Sequence, residues 1–111
     1  MDSIERATVY ATADIVNYEA GKLEMTRIMS KTTGSVTIVA VDTGVSTGSK
    51  VSPFDSLVYI LEGSANVTIN GTSHHLASGQ CIIIPAHFGS YIVSEEKFKM
   101  LTTVIKSGYE N

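Results

Sequence analysis

The three histidines and the single cysteine of this sequence all lie in its second half. The candidates for metal binding or proton transfer are His74, His75, His87, Cys81 and Asp55. Divalent transition metals prefer imidazole, thiolate and carboxylate ligands. His74 and His75 are adjacent on a predicted strand, so their side chains should point to opposite faces and cannot both bind one ion. We expect His75 on the surface and His74 at the edge of the core, on the same face as Leu76.

His87 follows Pro85 in a predicted loop and has two interpretations. Because an imidazole titrates near neutral pH, His87 is a candidate for ligand contact or for acid–base chemistry. The alternative is a histidine that only lines the rim of the fold. Cys81 precedes an apolar run, and we expect a buried, unreactive thiol there. The sequence contains no phosphate-binding loop, CxxC pair or HExxH motif.

Short strands are the elements that must position these groups. Segments rich in Val, Ile and Thr alternate with clusters of Gly, Asn, Asp or Ser, and helical periodicity is scarce. Gly63, Gly71 and Gly79 are eight residues apart. This spacing implies strands of about six or seven residues joined by tight turns. Asn70 with Gly71 is the strongest hairpin signal. Together these features predict an all-β barrel or sandwich.

The predicted strands cover most of the chain after its first twenty residues. They span residues 22–30, 35–42, 56–62, 65–69, 72–76, 81–84, 90–93 and 99–105. Before them, residues 9–12 are predicted as a short strand, and residues 13–18 as a single helical turn with Thr12 as its N-cap. A polar loop at residues 43–52 separates the second strand from the third.

Length and composition restrict the class of protein. The 111 residues suffice for one domain, and 43% hydrophobic with 17% charged residues is too apolar for a disordered chain. A net charge of −3 with scattered basic residues argues against nucleic acid as a partner. The single cysteine suits a reducing compartment, so we expect a cytoplasmic protein. No apolar run approaches the roughly 20 residues of a membrane helix, and the acidic N-terminus does not resemble a signal peptide.

Two predicted strands are apolar on both faces, at residues 57–61 and 82–84. A barrel interior accepts only one face of a strand, so something else must cover the other face. The candidates are the N-terminal segment and a second copy of the chain. We expect a homodimer, because the first fifty residues must themselves supply strands.

The stretch 48–105 resembles a small single-domain cupin of the cupin 2 conserved-barrel type. Gly63 closes the first cupin motif, Asn70 and Gly71 form the hairpin between the motifs, and Gly79 opens the second motif with five residues between it and Pro85. The resemblance implies a cupin-type double-stranded β-helix, which is a jelly-roll barrel. It also implies one domain over residues 1–111, in which residues 1–47 supply N-terminal strands and a dimer or cover segment.

The resemblance fails at the metal ligands. The positions that carry three histidines and a glutamate in cupin motifs are occupied here by Lys50, Ser52, Ser56 and Ser90. A first motif one residue longer would select Ser49 and Val51 for the two histidine positions. His87 replaces a motif glycine. Hydroxyls bind transition metals weakly and a lysine is a cation at neutral pH, so we expect no metal and no other cofactor.

Regular pleating would point the four substituted positions into the barrel, with Val58 and Ile60 deeper on the face of Ser56. Hydroxyls and one ammonium above an apolar floor suit a small polar ligand. The ligand-binding candidates are Lys50, Ser52, Ser56, His87 and Ser90. In the alternative, Lys50 turns into solvent and the serines enclose only water. No catalytic residue is assigned.

Three functions remain open from the sequence. The first is a metal-free cupin that binds a small polar molecule in the barrel mouth. The second is a metal-independent or displaced-site enzyme, of isomerase or lyase type, around His87 and Lys50. The third is a purely structural dimeric module with an empty barrel. An open pocket separates the first from the third, and a buried His87 or Lys50 in a concave site would favour the second.

Overall fold

Strands form most of residues 22–106 in the computed structural model, which describes residues 4–106 of the chain. In chain order they are β1 (Leu23–Lys31), β2 (Gly34–Val41), β3 (Lys50–Val51), β4 (Asp55–Glu62), β5 (Ser64–Ile69), β6 (Thr72–Ala77), β7 (Cys81–Ile84), β8 (Gly89–Val93) and β9 (Phe98–Ile105). A 3₁₀-helix at Thr12–Asp14 precedes them. No helix within the described range is long and apolar enough to cross a membrane.

Two antiparallel sheets face each other. The larger sheet has the order β1-β2-β9-β4-β7, and the smaller sheet has the order β3-β8-β5-β6. Neighbours in the chain such as β4 and β5 therefore lie in different sheets, and alternate residues of each strand point into the space between the sheets. This arrangement confirms the predicted all-β fold and the jelly-roll barrel.

Large apolar side chains fill one end of the barrel. Val41 and Phe98 lie opposite each other on β2 and β9, and Ile60 and Val67 face them from β4 and β5. All four are 0% exposed. Burial of each such side chain contributes about 1.5–3 kcal/mol. The stability of the barrel is therefore concentrated at this end, which leaves the opposite end for a site.

The N-terminal segment, residues 4–22, lies across the outer face of the larger sheet. Val16 is buried there with Ile38 and Ala40 of β2. Leu61 of β4 and Leu101 of β9 pack against the same cluster. The segment thus covers part of the outer apolar face, which is one of the two covers expected from the sequence.

A group of polar side chains fastens this segment to the sheet. The Tyr18 hydroxyl donates a 2.7 Å hydrogen bond to the Glu62 carboxylate, and the Lys99 ammonium donates to the backbone oxygen of Ala13. Lys99 is only 6% exposed, and its ammonium lies 4.9 Å from the centre of the Tyr18 ring. Burial, and then the bond to Glu62, raise the pKa of Tyr18 above its ordinary value. The carbonyl and the ring replace part of the hydration that the buried cation loses.

The predicted strand and N-cap at the start of the chain are wrong, whereas the predicted helical turn is present as a shorter 3₁₀-helix one residue earlier. Residues 9–12 form no strand, and Val9 is 98% exposed. Thr12 lies inside the 3₁₀-helix, whose N-cap is Ala11 with no side-chain cap bond. A short apolar stretch becomes a strand only where a sheet edge satisfies its backbone groups, and residues 9–12 pair with no described strand.

The prediction of a buried Cys81 is also wrong, because its thiol is exposed. Cys81 lies on β7, an edge strand of the larger sheet, opposite Tyr59 of β4. Ile82 and Ile84 point inward and pack against the core, so Cys81 and Ile83 point outward. Ile83 is 62% exposed and Tyr59 is 37% exposed, so the N-terminal segment leaves this part of the outer face uncovered.

Gly63, in the turn between β4 and β5, offers a test of the barrel geometry. Its φ is +77°, and a Cβ there would lie 2.7 Å from the backbone oxygen of Lys97. We expect Gly63→Ala to lower the free energy of unfolding by about 1–3 kcal/mol for the left-handed backbone alone, with a further loss from the clash. Gly79→Ala is the matched control, since Gly79 has a φ of +87° and no atom within 4 Å of its Cβ position. Equal losses in chemical denaturation would contradict the close approach of Lys97.

Candidate functional site: the barrel cavity

The end of the barrel opposite Phe98 holds a cavity of about 210 Å³. Strands of both sheets and the loops after β2, β3 and β7 contribute to its wall. The polar residues that line it are Thr47, Lys50, Ser52, Ser56, Ser90 and Thr102. Four of the five ligand-binding candidates from the sequence are among them, so the fold brings together residues from three separate segments.

Strand alternation explains the wall contributed by the larger sheet. Ser56 and Val58 both face the cavity from β4, because alternate residues of a strand share one face. Val104 of β9 lies opposite Ser56, and Thr102 lies opposite Val58. Ile60, the next residue on this face of β4, is fully buried in the core below the cavity. The cavity is therefore closed at its inner end by the packed half of the barrel.

The smaller sheet contributes Lys50 and Ser90, which lie opposite each other on β3 and β8. Ser52 follows two residues after Lys50 and shares its cavity-facing side. The alternative pair Ser49 and Val51 lines a groove on the surface of the protein and not the cavity, whereas Lys50 and Ser90 border both. The shorter of the two spacings considered for the first motif is thus the one whose residues face the cavity.

His87 does not join the other candidates. Its side chain is exposed, while Pro85 and Phe88 of the same loop line the cavity. The backbone at His87 is left-handed, with φ of 69°. The Asp55 carboxylate helps to hold the loop by accepting a 2.8 Å hydrogen bond from the backbone N–H of Ala86. The sequence groups His87 with the four barrel-facing residues as a ligand-binding candidate. The left-handed turn places it outside the cavity wall, so it does not share their pocket.

The cavity is basic and its hydrogen-bonding capacity is incompletely used. Lys50 is its single charged residue, and no acidic side chain lines it among the residues described. Lys50 is exposed and also borders the surface groove, so it lies at the mouth with access to solvent, partly as the alternative from the sequence predicted. Within the described part of the chain, no protein group hydrogen-bonds the hydroxyls of Ser56 and Ser90. Ser90 is only 8% exposed, and it lines both the cavity and a neighbouring surface groove. By contrast, the Thr47 hydroxyl already accepts a 3.0 Å hydrogen bond from the backbone N–H of Ile92.

Some lining residues were not found from the sequence. Thr102 shares one face of β9 with Met100 and Val104, so its inward orientation follows once the pairing of β9 with β4 is known. Thr47 and Phe88 lie in loops, where no periodic pattern indicates the direction of a side chain. Only the folded chain therefore identifies them as part of the wall.

The residues present do not fit a transition-metal centre. Three serine hydroxyls and an ammonium occupy the positions of cupin metal ligands, and such groups are poor ligands for divalent transition metals. Across residues 4–106, no three His, Cys, Asp or Glu side chains lie close enough to hold an ion. His74 is half-buried on the face of Leu76, and the exposed His75 contacts the Asn66 side-chain oxygen at 3.1 Å. The predicted opposite orientation of these two histidines is confirmed.

Comparison with solved structures gives the family. A conserved protein of unknown function from Streptococcus pyogenes is 30% identical, with a TM-score of 0.89 over 95% of this chain and 92% of that one. A cupin superfamily protein from Desulfitobacterium hafniense is 19% identical, with a TM-score of 0.86 over 92% of this chain and 94% of that one. A cupin 2 conserved barrel domain protein from Leptotrichia buccalis is 28% identical, with a TM-score of 0.82 over 85% of this chain and 46% of that one.

This chain therefore spans less than half the length of the Leptotrichia buccalis protein. No family model matches the sequence, and no curated protein matches it either. The relative that is 30% identical is a protein of unknown function, and the two proteins named as cupins share the fold of this chain. The chain is a cupin-fold protein, similar to the cupin 2 barrel proteins.

Restoring metal ligands tests the placement of the four barrel-facing residues. We expect the wild-type protein to purify without a stoichiometric transition metal, and the variant Lys50→His, Ser52→His, Ser56→Glu, Ser90→His to gain about one ion per chain. The control keeps Ser56→Glu and Ser90→His but moves the first two histidines to Ser49 and Val51, which face the surface groove. Elemental analysis after mild chelation measures the result. A folded quadruple variant without metal, or a wild-type chain with one bound ion, would contradict the placement.

Proposed function

We propose that this protein is a metal-free cupin that binds a small polar molecule in the mouth of its barrel. The observation that carries the proposal is a set of three polar side chains, Lys50, Ser56 and Ser90, that face one cavity and form no hydrogen bond with the described residues. Among those residues no fully buried side-chain nitrogen or oxygen lacks a hydrogen-bond partner, so the hydroxyls of Ser56 and Ser90 are accessible and available to a ligand. A ligand with matching acceptors would take the place of solvent at these groups.

The shape of the cavity supports binding over a purely structural role. Its volume of about 210 Å³ is several times the share of one water molecule in the liquid, which is about 30 Å³. Its wall combines hydroxyls with apolar side chains such as Val58, Ile92 and Met100. Apolar walls with a few placed polar groups are typical of small-molecule sites. An empty structural barrel has no need of Lys50 at the mouth or of Ser90 inside it.

The composition of the wall also supports binding over catalysis. No imidazole, thiol or carboxylate of the described residues lines the cavity, and His87 is exposed outside it. Isomerases and lyases need a positioned acid and a positioned base. Lys50 alone would have to supply both, so the displaced-site enzyme is the weaker candidate.

A cytoplasmic location forms part of the proposal. Cys81 is the single cysteine of the sequence and its thiol is exposed. An exposed, unpaired thiol is best preserved in a reducing compartment.

Filling the cavity tests ligand binding. In thermal-shift measurements with a panel of small anionic, neutral and cationic metabolites, we expect at least one compound to raise the melting temperature of the wild type. A compound at 100 times its Kd stabilises the folded state by about 2.7 kcal/mol. Ser90→Leu should abolish the shift because the larger side chain occupies the cavity. Ser73→Leu, at an exposed position on β6, is the matched control and should retain the shift.

The unliganded stability of each variant, measured by circular dichroism, separates lost binding from lost folding. If no compound shifts the wild type, or if the folded Ser90→Leu variant shows the same shift, the proposed function is wrong.

We also propose that the protein is a homodimer, joined through the outer face of the larger sheet. One row of residues runs across all five strands of that sheet at a single level: Ile83, Leu57, Thr103, Val36 and Met29. The row is roughly 19 Å long, because it crosses four spacings between neighbouring strands. Ile83 is 62% exposed and Met29 is 53% exposed, at the two ends of the row. Four of the five residues are apolar, with Thr103 in the middle of the row, and exposed apolar surface of this extent is uncommon on monomers.

A second copy of the chain is the occupant that this surface fits. In a two-fold dimer the same row meets itself, so apolar residues face apolar residues without any other partner. The N-terminal segment leaves both ends of the row more than half exposed, although its residues 4–7 lie beside Met29. Its main cluster, with Ile38 and Leu101, lies beside the row on the sheet.

Charging this surface tests the homodimer. We expect the wild type to have the mass of two chains in light scattering at micromolar concentration. Tyr59→Lys should give single chains or unfolded protein, because two ammonium groups would be buried in the interface. Tyr91→Lys is the matched control, since Tyr91 is 39% exposed against 37% for Tyr59 but lies on the smaller sheet. A wild-type mass of one chain, or a Tyr59→Lys variant with unchanged mass and melting temperature, would refute the proposal.

A further inference from the structure

The two ends of the cavity differ in charge and polarity. At the mouth, Lys50 and Ser90 lie opposite each other on neighbouring strands, so the ammonium and the free hydroxyl approach the cavity from one side. Ser56 faces them from the larger sheet with a second free hydroxyl. Farther in, the wall consists largely of apolar residues such as Val58 and Ile92.

From this arrangement we propose that the ligand is a small monoanion with an apolar body, of the carboxylate class, whose charged end meets Lys50, Ser56 and Ser90. The inference rests on the proposed function and adds the chemical class of the molecule bound.

The charge of the ligand follows from Lys50. Its ammonium forms no hydrogen bond or ion pair with the described part of the protein, and no acidic side chain there lines the cavity. Lys50 is exposed, so its ammonium is hydrated in the free protein. An anion would replace that water, and hydrogen bonds between charged groups are about twice as strong as neutral ones. A cationic ligand would instead be placed beside a like charge. A single lysine matches one negative charge, which favours a carboxylate over a doubly charged phosphate.

The hydroxyls also favour a carboxylate. An ionised carboxylate accepts hydrogen bonds at two oxygens and donates none. Lys50, Ser56 and Ser90 can all donate to it, and the two serine hydroxyls have no competing protein acceptor among the described residues. The free donors of the cavity and the acceptors of a carboxylate therefore match in type.

The size of the ligand follows from the cavity volume. An apolar protein cavity of about 150 Å³ holds one benzene molecule. The volume of about 210 Å³ found here leaves room for a body of that size and one carboxylate group. Larger bodies would have to displace Ile60 or Met100, which are 0% and 3% exposed in the packed core.

Three compounds of nearly equal shape test the charge. Benzoate, benzamide and benzamidinium carry charges of −1, 0 and +1 on the same ring, and calorimetric titration at low ionic strength measures their affinities. We expect benzoate to bind about tenfold more tightly than benzamide, which corresponds to one charge-assisted interaction. Benzamidinium should bind more weakly than either. Raising the salt concentration should reduce the preference for benzoate, because screening weakens an exposed charge pair.

Removing the ammonium tests the residue. Lys50→Met keeps most of the side-chain volume, and we expect it to bring the affinity for benzoate to that for benzamide without changing the latter. Lys31→Met is the matched control, since Lys31 is an exposed lysine at the end of β1, outside the cavity wall, and should leave both affinities unchanged. Circular dichroism establishes that each variant is folded.

The outcomes separate this inference from the function on which it rests. Equal affinities for the three compounds in the wild type, or an unchanged preference for benzoate in Lys50→Met, overturn the anion class. So does a wild type that binds none of the three while a neutral or cationic compound of the metabolite panel shifts its melting temperature, and the proposed function then stands. If no compound of either set binds, both the inference and the proposed function are wrong.

Discussion

The separation of the two sheets is set at one end of the barrel, and the site at the other end depends on it. Phe98, Ile60 and Val67 meet there without solvent exposure. Stacked sheets lie about 10 Å apart when side chains of that size interdigitate. The same strands continue to the opposite end, where Ser56 and Ser90 are too short to bridge that distance. The strands are rigid, so the two sheets stay as far apart at the open end as at the packed end. The small side chains there cannot fill the space, and a cavity remains.

The register of β4 links this cavity to the outer surface. Ser56 and Val58 face the cavity, while Leu57 and Tyr59 face outward on the same strand. A shift of one residue would exchange the two sets and put hydroxyls on the outer face. The pairing of β4 with β9 on one side and β7 on the other fixes the register along most of its length. Internal ligand binding and dimer formation, as proposed, would thus depend on one set of backbone hydrogen bonds.

The N-terminal segment buries a cation, Lys99, on the outer face of the larger sheet and supplies its partners. Lys99 points outward from β9, and its ammonium is satisfied by the carbonyl of Ala13 and the ring of Tyr18. Tyr18 in turn donates to Glu62 on β4. These contacts connect the segment to two neighbouring strands of the cavity wall. The cover and the wall are therefore one packed unit, although they lie on opposite faces of the sheet.

Much of the fold and part of the site could be predicted from the sequence. Glycine positions, the hairpin at Asn70 and strand alternation are local properties, because turns require particular backbone angles and a strand has a period of two. They sufficed for the all-β barrel. The resemblance to cupin motifs selected Lys50, Ser52, Ser56 and Ser90, and strand alternation then predicted the face on which they lie.

Other features required the tertiary structure, because they depend on what lies beside a residue. Cys81 lies on an apolar strand yet is exposed, since β7 is at the edge of its sheet. His87 follows Pro85 as expected but is turned out of the cavity by a left-handed backbone that no motif indicates. The burial of Lys99 runs against its residue type and arises only because a distant segment covers it. Local pattern determines which face a side chain occupies, whereas the neighbours brought by the fold determine whether that face is covered.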